Sequence, residues 1–260
     1  MRMRVLLGLG WWAITSLQAQ TDPGLAAKEP VAADRDPQAV LRSFGPILAL
    51  DSLQFEANWR TAMAWIDVGQ ETPDSVPSQT RDSAYRSAER FARRAVVADP
   101  TKPEGFFALA AALGRVALTK SKKDRVRYAV GIYEAATRAL EIAPDHDGAH
   151  HVLGLWHAET MRTSGFNRFM AKNLLGGKLL GKANWAAAVD HLEAAVRLDP
   201  TRIFHRLDLA RIYVDRHRYT EARRELDRIA ELPERERFDA RDRIEAARLL
   251  GRIADKSDRL

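Results

Sequence analysis

Residues 198–233 read LDPTRIFHRLDLARIYVDRHRYTEARRELDRIAELP and decide the fold. Apolar side chains recur in this stretch every three or four residues, which indicates amphipathic helices. A proline closes the stretch at each end, at Pro200 and Pro233, and proline ends a helix because it cannot donate the backbone hydrogen bond. The two prolines lie 33 positions apart, and the segment between them is therefore predicted to form one helical hairpin.

The same closing signal recurs at Ala98-Asp99-Pro100 and at Ala143-Pro144. With helical hairpins repeated at about 34 residues, the chain resembles the tetratricopeptide repeat. The two helices of that repeat cross closely at its eighth and twentieth positions, which need small side chains. In the four units these positions fall on Ala62 and Ala88, Ala110 and Ile132, Gly154 and Ala188, and Ala210 and Ala222.

Two further positions follow the repeat pattern. The bulky eleventh position carries Trp65, Leu113, His157 and Tyr213, and the small position before each closing turn carries Ala95, Ala139, Ala195 and Ile229. The resemblance implies an all-α fold, a tetratricopeptide-like α-α solenoid of about four helical hairpins.

The spacing of the units predicts insertions. The eighth-position residues lie 48, 44 and 56 residues apart, which exceeds a unit of about 34. The extra residues are predicted to lie between the two helices of a unit, at Gln70 to Arg86, Lys120 to Arg127 and Thr163 to Asn184. Residues 37–51 are predicted to form half a repeat at the start, and an amphipathic helix from about Phe238 to Ala254 to cap the end.

A narrower resemblance rests on five motifs: Asn58-Trp59-Arg60-Thr61-Ala62, Asp67-Val68-Gly69, Gly154-Leu155-Trp156, Phe169-Met170-Ala171-Lys172, and Tyr219 through Leu226. Over about residues 50 to 250 the chain resembles the regulator of microtubule dynamics family, whose animal members are helical repeat proteins associated with microtubules and mitochondria. The resemblance implies the fold and a role in protein association. Microtubule binding is not carried over, because this chain has an export signal where animal members have a membrane segment or targeting region.

Residues 1–19 are predicted to be a signal peptide. Arg2 and Arg4 precede an apolar stretch from Val5 to Thr15, and Ala19 supplies a small residue for cleavage. An amphipathic first helix is the alternative. Residues 20–36 are predicted to be a flexible leader and residues 37–256 the solenoid domain. A cleaved signal predicts a periplasmic or secreted protein, and an uncleaved one predicts an inner-membrane tether.

The composition limits the chemistry of the chain. With no cysteine it can have no disulfide, thiol nucleophile or thiolate metal site. The net charge of +6 comes from arginines mixed with acidic residues, which is typical of solvated helix faces. The sequence has neither a nucleophile-elbow serine nor a carboxylate pair in an apolar stretch. We therefore expect no enzymatic activity and no cofactor.

Two other patterns admit more than one interpretation. His146, His150, His151 and His157 suggest, as an alternative function, a metal-binding or small-molecule-binding accessory protein that uses this helix. The repeat register instead places His150 and His157 at packing positions, and we expect no metal site. Gly176 through Lys182 has the spacing of a phosphate-binding loop, but Ala183 replaces the hydroxyl residue and no strand precedes it, so we expect a turn.

The third insertion is basic and amphipathic. Residues 163–182 are expected to fold their apolar side onto the repeats, and contact with an anionic membrane surface or a partner is the alternative. Nucleic acid is not an expected partner, because the few aromatic residues form no stacking series.

A stack of helical hairpins has a concave groove lined by the first helix of each hairpin, where repeat proteins hold peptides or partner helices. The sequence therefore predicts a non-catalytic interaction scaffold or adaptor. The predicted groove residues are Trp59, Met63, Ile66, Asp67, Phe107, Ala111, Arg115, His151, Leu155, Glu159, Leu207, Arg211 and Asp215.

Overall fold

The structure, a computed structural model, describes residues 36–163 and 178–258. The predicted signal peptide, nearly all of the leader and the middle of the third insertion lie outside these ranges. The helices within them are α1 (Pro37–Leu50), α2 (Phe55–Gln70), α3 (Gln79–Ala98), α4 (Pro103–Leu118), α5 (Lys122–Ile142), α6 (Asp147–Arg162), a 3₁₀ helix (Lys178–Lys182), α7 (Trp185–Leu198), α8 (Ile203–Asp215), α9 (Tyr219–Glu231) and α10 (Asp239–Arg252).

The helices pair in chain order. Helices α2 and α3, α4 and α5, α6 and α7, and α8 and α9 form four antiparallel hairpins, and each hairpin packs on the next. Helix α1 packs on α2 as the predicted half repeat, and α10 packs on both α8 and α9. The predicted all-α solenoid is confirmed, and no strand occurs in the described part of the chain.

Two of the turns between hairpins arise from a repeated local sequence, Asp-Pro-Thr. The carboxylate of Asp99 accepts hydrogen bonds from the backbone N–H of Thr101 at 2.9 Å and from its hydroxyl at 2.6 Å. Asp199 makes the same two bonds to Thr201, at 3.1 and 2.7 Å. In both turns the aspartate carboxylate satisfies the backbone N–H and the hydroxyl of the threonine after the proline. Helices α3 and α7 therefore end in the same way.

Close crossing of the paired helices requires the small residues. Ala62, Ala110 and Ala210 are fully buried. The partners of Ala62, Gly154 and Ala210, which are Ala88, Ala188 and Ala222, are also fully buried. At Gly154 a Cβ atom would lie 2.6 Å from Leu192 Cγ and 3.2 Å from the carbonyl oxygen of Ala188. The second hairpin differs because Ile132 is half-buried against Trp156 and Leu180. Its close approach lies one residue earlier, at Gly131, where a Cβ would be 3.2 Å from Leu113 Cδ1.

Part of the first insertion lies between the two helices as predicted, at residues 71–78, whereas the rest of it and most of the second insertion lengthen helices. Helix α3 starts at Gln79 because the Ser78 hydroxyl accepts a hydrogen bond from the backbone N–H of Arg81 at 3.2 Å. Helix α5 starts at Lys122, where Ser121 makes the equivalent bond to Asp124 at 3.3 Å. Serine is a favourable N-cap, so each helix begins well before the repeat register requires.

Helix α10 covers the end of the stack. Its buried residues Ala246, Leu249 and Ile253 join the same apolar cluster as Leu226 and Ile229 of α9. The predicted cap is therefore confirmed, with Phe238 as the N-cap residue. In the ranges that the structure describes, no helix has both the length and the hydropathy to cross a membrane.

The crossing at Gly154 gives a stability prediction with a matched control. Gly154→Ala should destabilise the protein by roughly 1–3 kcal/mol, because the methyl group would overpack a filled crossing. Gly114→Ala, in the middle of α4, meets nothing within 4 Å and should stabilise the protein by about 0.5–1 kcal/mol, since alanine favours the helix. Urea unfolding measures both. Stabilisation by both substitutions would show that α6 and α7 do not cross at Gly154.

Candidate partner-binding groove

The first helices of the hairpins line one concave groove with a volume of about 1670 Å³. Of the thirteen predicted groove residues, the structure places twelve on its wall. Asp215 is the exception, and its carboxylate accepts a hydrogen bond from Arg162 Nε at 2.8 Å. The twelve are Trp59, Met63, Ile66, Asp67, Phe107, Ala111, Arg115, His151, Leu155, Glu159, Leu207 and Arg211.

The C-terminal cap contributes groove residues that the sequence analysis missed. They are Glu236, Phe238, Asp239, Arg241, Asp242 and Glu245. A signal for them was present, since Ala246 follows Ala210 by 36 residues, close to one repeat. Helix α10 therefore occupies the place of the first helix of a fifth hairpin. Phe204, at the start of α8, also lines the groove and was missed, although it holds the second position of its unit.

The two ends of the solenoid meet. Arg237, just before α10, forms an ion pair with Glu71 after α2, at 2.6 Å between Nη2 and Oε1. Arg241 Nη1 also lies 3.4 Å from the carbonyl oxygen of Gln70. The groove is thus bounded along its length by four hairpins and closed at its edge by the cap. The ion pair is partly exposed, so it stabilises this closure by about 0–1 kcal/mol.

Arginines on the groove wall are paired across neighbouring units. Arg115 of α4 donates to Gln70 Oε1 of α2 at 2.6 Å. Arg211 of α8 pairs with Asp208 at 2.6 Å and with Glu245 of α10 at 2.9 Å. These contacts join α2 to α4 and α8 to α10 inside the groove.

Three carboxyl groups of the groove have raised pKa values, those of Asp67, Glu236 and Asp242. Burial raises the pKa of Asp67 to about 6, against the opposing charges of Arg237 and Arg115. Burial likewise raises the pKa of Glu236 to about 7, although Arg202 lies 3.4 Å away. Their ionised forms are unfavourable in the folded protein. Such groups are more typical of a binding surface than of a core optimised for stability.

The histidines form pairs instead of sharing one helical face. His146 is the N-cap of α6, and its Nδ1 accepts a hydrogen bond from the backbone N–H of Ala149 at 3.2 Å. His150 Nδ1 lies 2.9 Å from His191 Nδ1.

Buried histidines occupy the interior beside this pair. His157 stacks on His191 with ring centroids 5.8 Å apart, as its packing position predicts. His151 Nδ1 lies 3.0 Å from His205 Nδ1. Nowhere in residues 36–163 and 178–258 do three histidine or acidic side chains converge as metal ligands would.

Residues 33–254 match the family model described as Regulator of microtubule dynamics protein 1-3. The chain belongs to this family. The resemblance seen in the sequence motifs is thereby confirmed over most of the chain, and the groove lies within the matched residues. No curated protein matches the sequence significantly.

Solved structures share the fold at low sequence identity. A thermophilic TPR protein of Thermus thermophilus is 20% identical, with a TM-score of 0.57 over 82% of this chain and 90% of that chain. A monomeric IFIT1 mutant with Gppp-AAAA is 19% identical, with a TM-score of 0.49 over 86% and 52%. MamA is 14% identical, with a TM-score of 0.43 over 82% and 92%. The first likeness supports the TPR-like fold of this family member.

The raised pKa of Glu236 predicts pH-dependent stabilisation by Glu236→Gln. The variant should raise the free energy of unfolding by on the order of 1 kcal/mol at about pH 8, where the buried carboxylate is ionised and partial exposure screens its cost. Because the folded pKa is raised, the gain should shrink as the pH falls through 7 and approach zero near pH 4. Chemical denaturation across this range measures it. Glu134→Gln, at an exposed position of α5, is the control and should be neutral; a loss of stability in Glu236→Gln at pH 8 would contradict the assignment.

Proposed function

We propose that the protein is a non-catalytic, exported scaffold that holds a peptide or helix of a partner protein in its groove. The observation that carries the proposal is the groove, in which side chains from α2, α4, α6, α8 and α10 face one cavity. Repeat proteins use extended concave surfaces of this kind for binding. The TPR-like fold and the family support the general class of interaction scaffold.

The lining of the groove indicates the chemistry of the partner. Trp59, Phe107 and Phe204 are large aromatic side chains, which commonly anchor protein interfaces. The wall also carries guanidinium and carboxyl groups, so both charge signs are present. This mixture suits a peptide with apolar side chains and its own polar groups better than a purely anionic ligand.

The export part of the proposal rests on the sequence before the fold. Arg2, Arg4 and the apolar stretch from Val5 to Thr15 have the order of a secretory signal. These residues lie outside the described ranges. The scaffold is accordingly proposed to act in the periplasm or outside the cell.

Site-specific photocrosslinking in the native cell tests the groove. A photoreactive residue replaces Ala111 or Leu155 on the groove wall, and Val97, an exposed residue at the end of α3, serves as the control position. The two groove positions should capture the same protein, identified by mass spectrometry, and the control should not. Equal capture of this protein at all three positions would contradict binding of the partner in the groove.

Substitution of the apolar wall then tests the interaction itself. Met63→Glu combined with Leu155→Glu should reduce recovery of the identified partner at least tenfold, because two charges would be buried at the contact. Circular dichroism should be unchanged. Val97→Glu is the matched control and should leave recovery intact. Normal recovery by the folded double variant would contradict binding in the groove.

A further inference from the structure

Four side chains form a continuous hydrogen-bonded chain between the third and fourth hairpins. His205 Nε2 lies 2.9 Å from Asp147 Oδ2, and His205 Nδ1 lies 3.0 Å from His151 Nδ1. His151 Nε2 then lies 3.3 Å from Asp208 Oδ2. We call Asp147, His205, His151 and Asp208 the histidine bridge. It joins α6, which carries Asp147 and His151, to α8, which carries the other two.

The histidine bridge needs one proton more than two neutral imidazoles hold. Its three contacts each require a proton between the two heavy atoms, and the carboxylates at the ends are acceptors only. Two neutral rings supply two N–H groups for these three contacts. With two protons, either the facing Nδ1 lone pairs meet, or a ring nitrogen lone pair faces a carboxylate. With three, every contact is a hydrogen bond.

The surrounding charges favour the extra proton. Asp147 also faces Arg202 at 3.4 Å, and Asp208 also faces Arg211 at 2.6 Å. Both arginines are shared with other carboxylates, which are Asp199 at the end of α7, Glu236 before α10 and Glu245 on α10. Asp242 of α10, which pairs with Arg241 at 3.2 Å, also acts on Asp208. Carboxyl groups therefore outnumber guanidinium groups around the bridge.

The remaining contacts of the two rings are aromatic. The Phe204 ring lies 4.9 Å from the His151 ring and 4.3 Å from the His205 ring, measured between centroids, and brings no charge. His205 is fully buried and His151 is 8% exposed. A charge held here is largely shielded from water, so its partners within the bridge determine its stability.

We propose that His151 and His205 share one extra proton between Asp147 and Asp208, and that this proton fastens the third hairpin to the fourth. His205 is the more deeply buried ring, so in this arrangement His205 is neutral and His151 carries the extra proton. His151 then donates from both nitrogens, to His205 and to Asp208. Burial alone would raise the pKa of Asp208, but His151 and Arg211 outweigh it and hold that pKa well below its usual range.

The neighbouring histidine pair shows the contrasting case. His150 Nδ1 faces His191 Nδ1 at 2.9 Å, and His150 Nε2 lies 3.0 Å from the carbonyl oxygen of Pro144. Two protons satisfy these two contacts, because His150 donates to the carbonyl and His191 donates to His150. This pair needs no extra proton, and burial lowers the pKa of His191 to about 4. It is an internal control with nearly the same ring separation.

Loss of the proton should loosen the joint between α6 and α8. As the pH rises and the proton leaves, one hydrogen bond of the bridge is lost and Asp208 loses its imidazolium partner. The first helices of these two hairpins form adjacent parts of the groove wall, so groove geometry becomes sensitive to pH. This inference does not depend on the proposed function.

Nitrogen NMR of the full chain labelled with ¹⁵N-histidine tests the proton count. Near neutral pH, three of the four ring nitrogens of His151 and His205 should be protonated, against two of four for His150 and His191. The signals that change in His205→Gln are assigned to the first pair. If His205→Gln does not fold because this ring is buried, the signals that change in His150→Gln identify the second pair instead. Two protonated nitrogens in the first pair would overturn the proposal. So would a change in these signals on adding a chelator, since a metal ion would then occupy the place of the proton.

Hydrogen exchange tests the fastening. Above the pH at which the extra proton titrates, protection of the α8 amides should fall about tenfold relative to α3 amides, after correction for intrinsic exchange, as expected for one lost charge-assisted hydrogen bond. Asp208→Asn removes the carboxylate of the bridge. In this variant the protection of the α8 amides should be low both below and above the pH at which the extra proton titrates in the native chain. Unchanged α8 protection in the native chain through the titration would contradict the fastening role.

Discussion

Two helices can cross closely only where at least one of them has no bulky side chain, and the rest of this structure depends on that steric requirement. At Gly154 the side chain of Leu192 fills the space that a Cβ would take. Buried alanines serve the same purpose in the first and fourth hairpins. Because the hairpins close tightly, they stack in chain order, and the first helix of each is left on the inner wall. The groove is a consequence of this packing.

Electrostatic interactions then shape the groove. Arg115 and Arg211 pair with acceptors on the neighbouring first helix, and Arg237 brings the cap to Glu71. The carboxyl groups divide into two kinds. Asp147 and Asp208 have pKa values held well below the usual range by histidine and arginine partners, whereas burial raises those of Asp67 and Glu236. The first kind stabilises the joint between hairpins, and the second kind leaves charge poorly compensated on the groove wall.

Much of the fold could be predicted from the sequence, because a steric requirement at a fixed period leaves a direct trace in residue size. The same register placed Met63 and Leu155 on the groove wall. The insertions were misplaced because the register says where a helix must be present, while Ser78 and Ser121 determine where it begins. The histidine pairing could not be predicted from the sequence, since it joins His151 to His205, 54 positions away. Such contacts depend on the angle between successive hairpins, which residue size alone does not specify.

The most direct test of the central claim is a distance measurement between the two ends of the solenoid. Because the chain has no cysteine, Thr72→Cys with Arg235→Cys places spin labels only beside the contact between Glu71 and Arg237. If small-residue crossings curl the hairpins around one enclosed groove, pulsed electron paramagnetic resonance should show a single, short distance population. A single long distance, as in an open and extended array, would contradict the account.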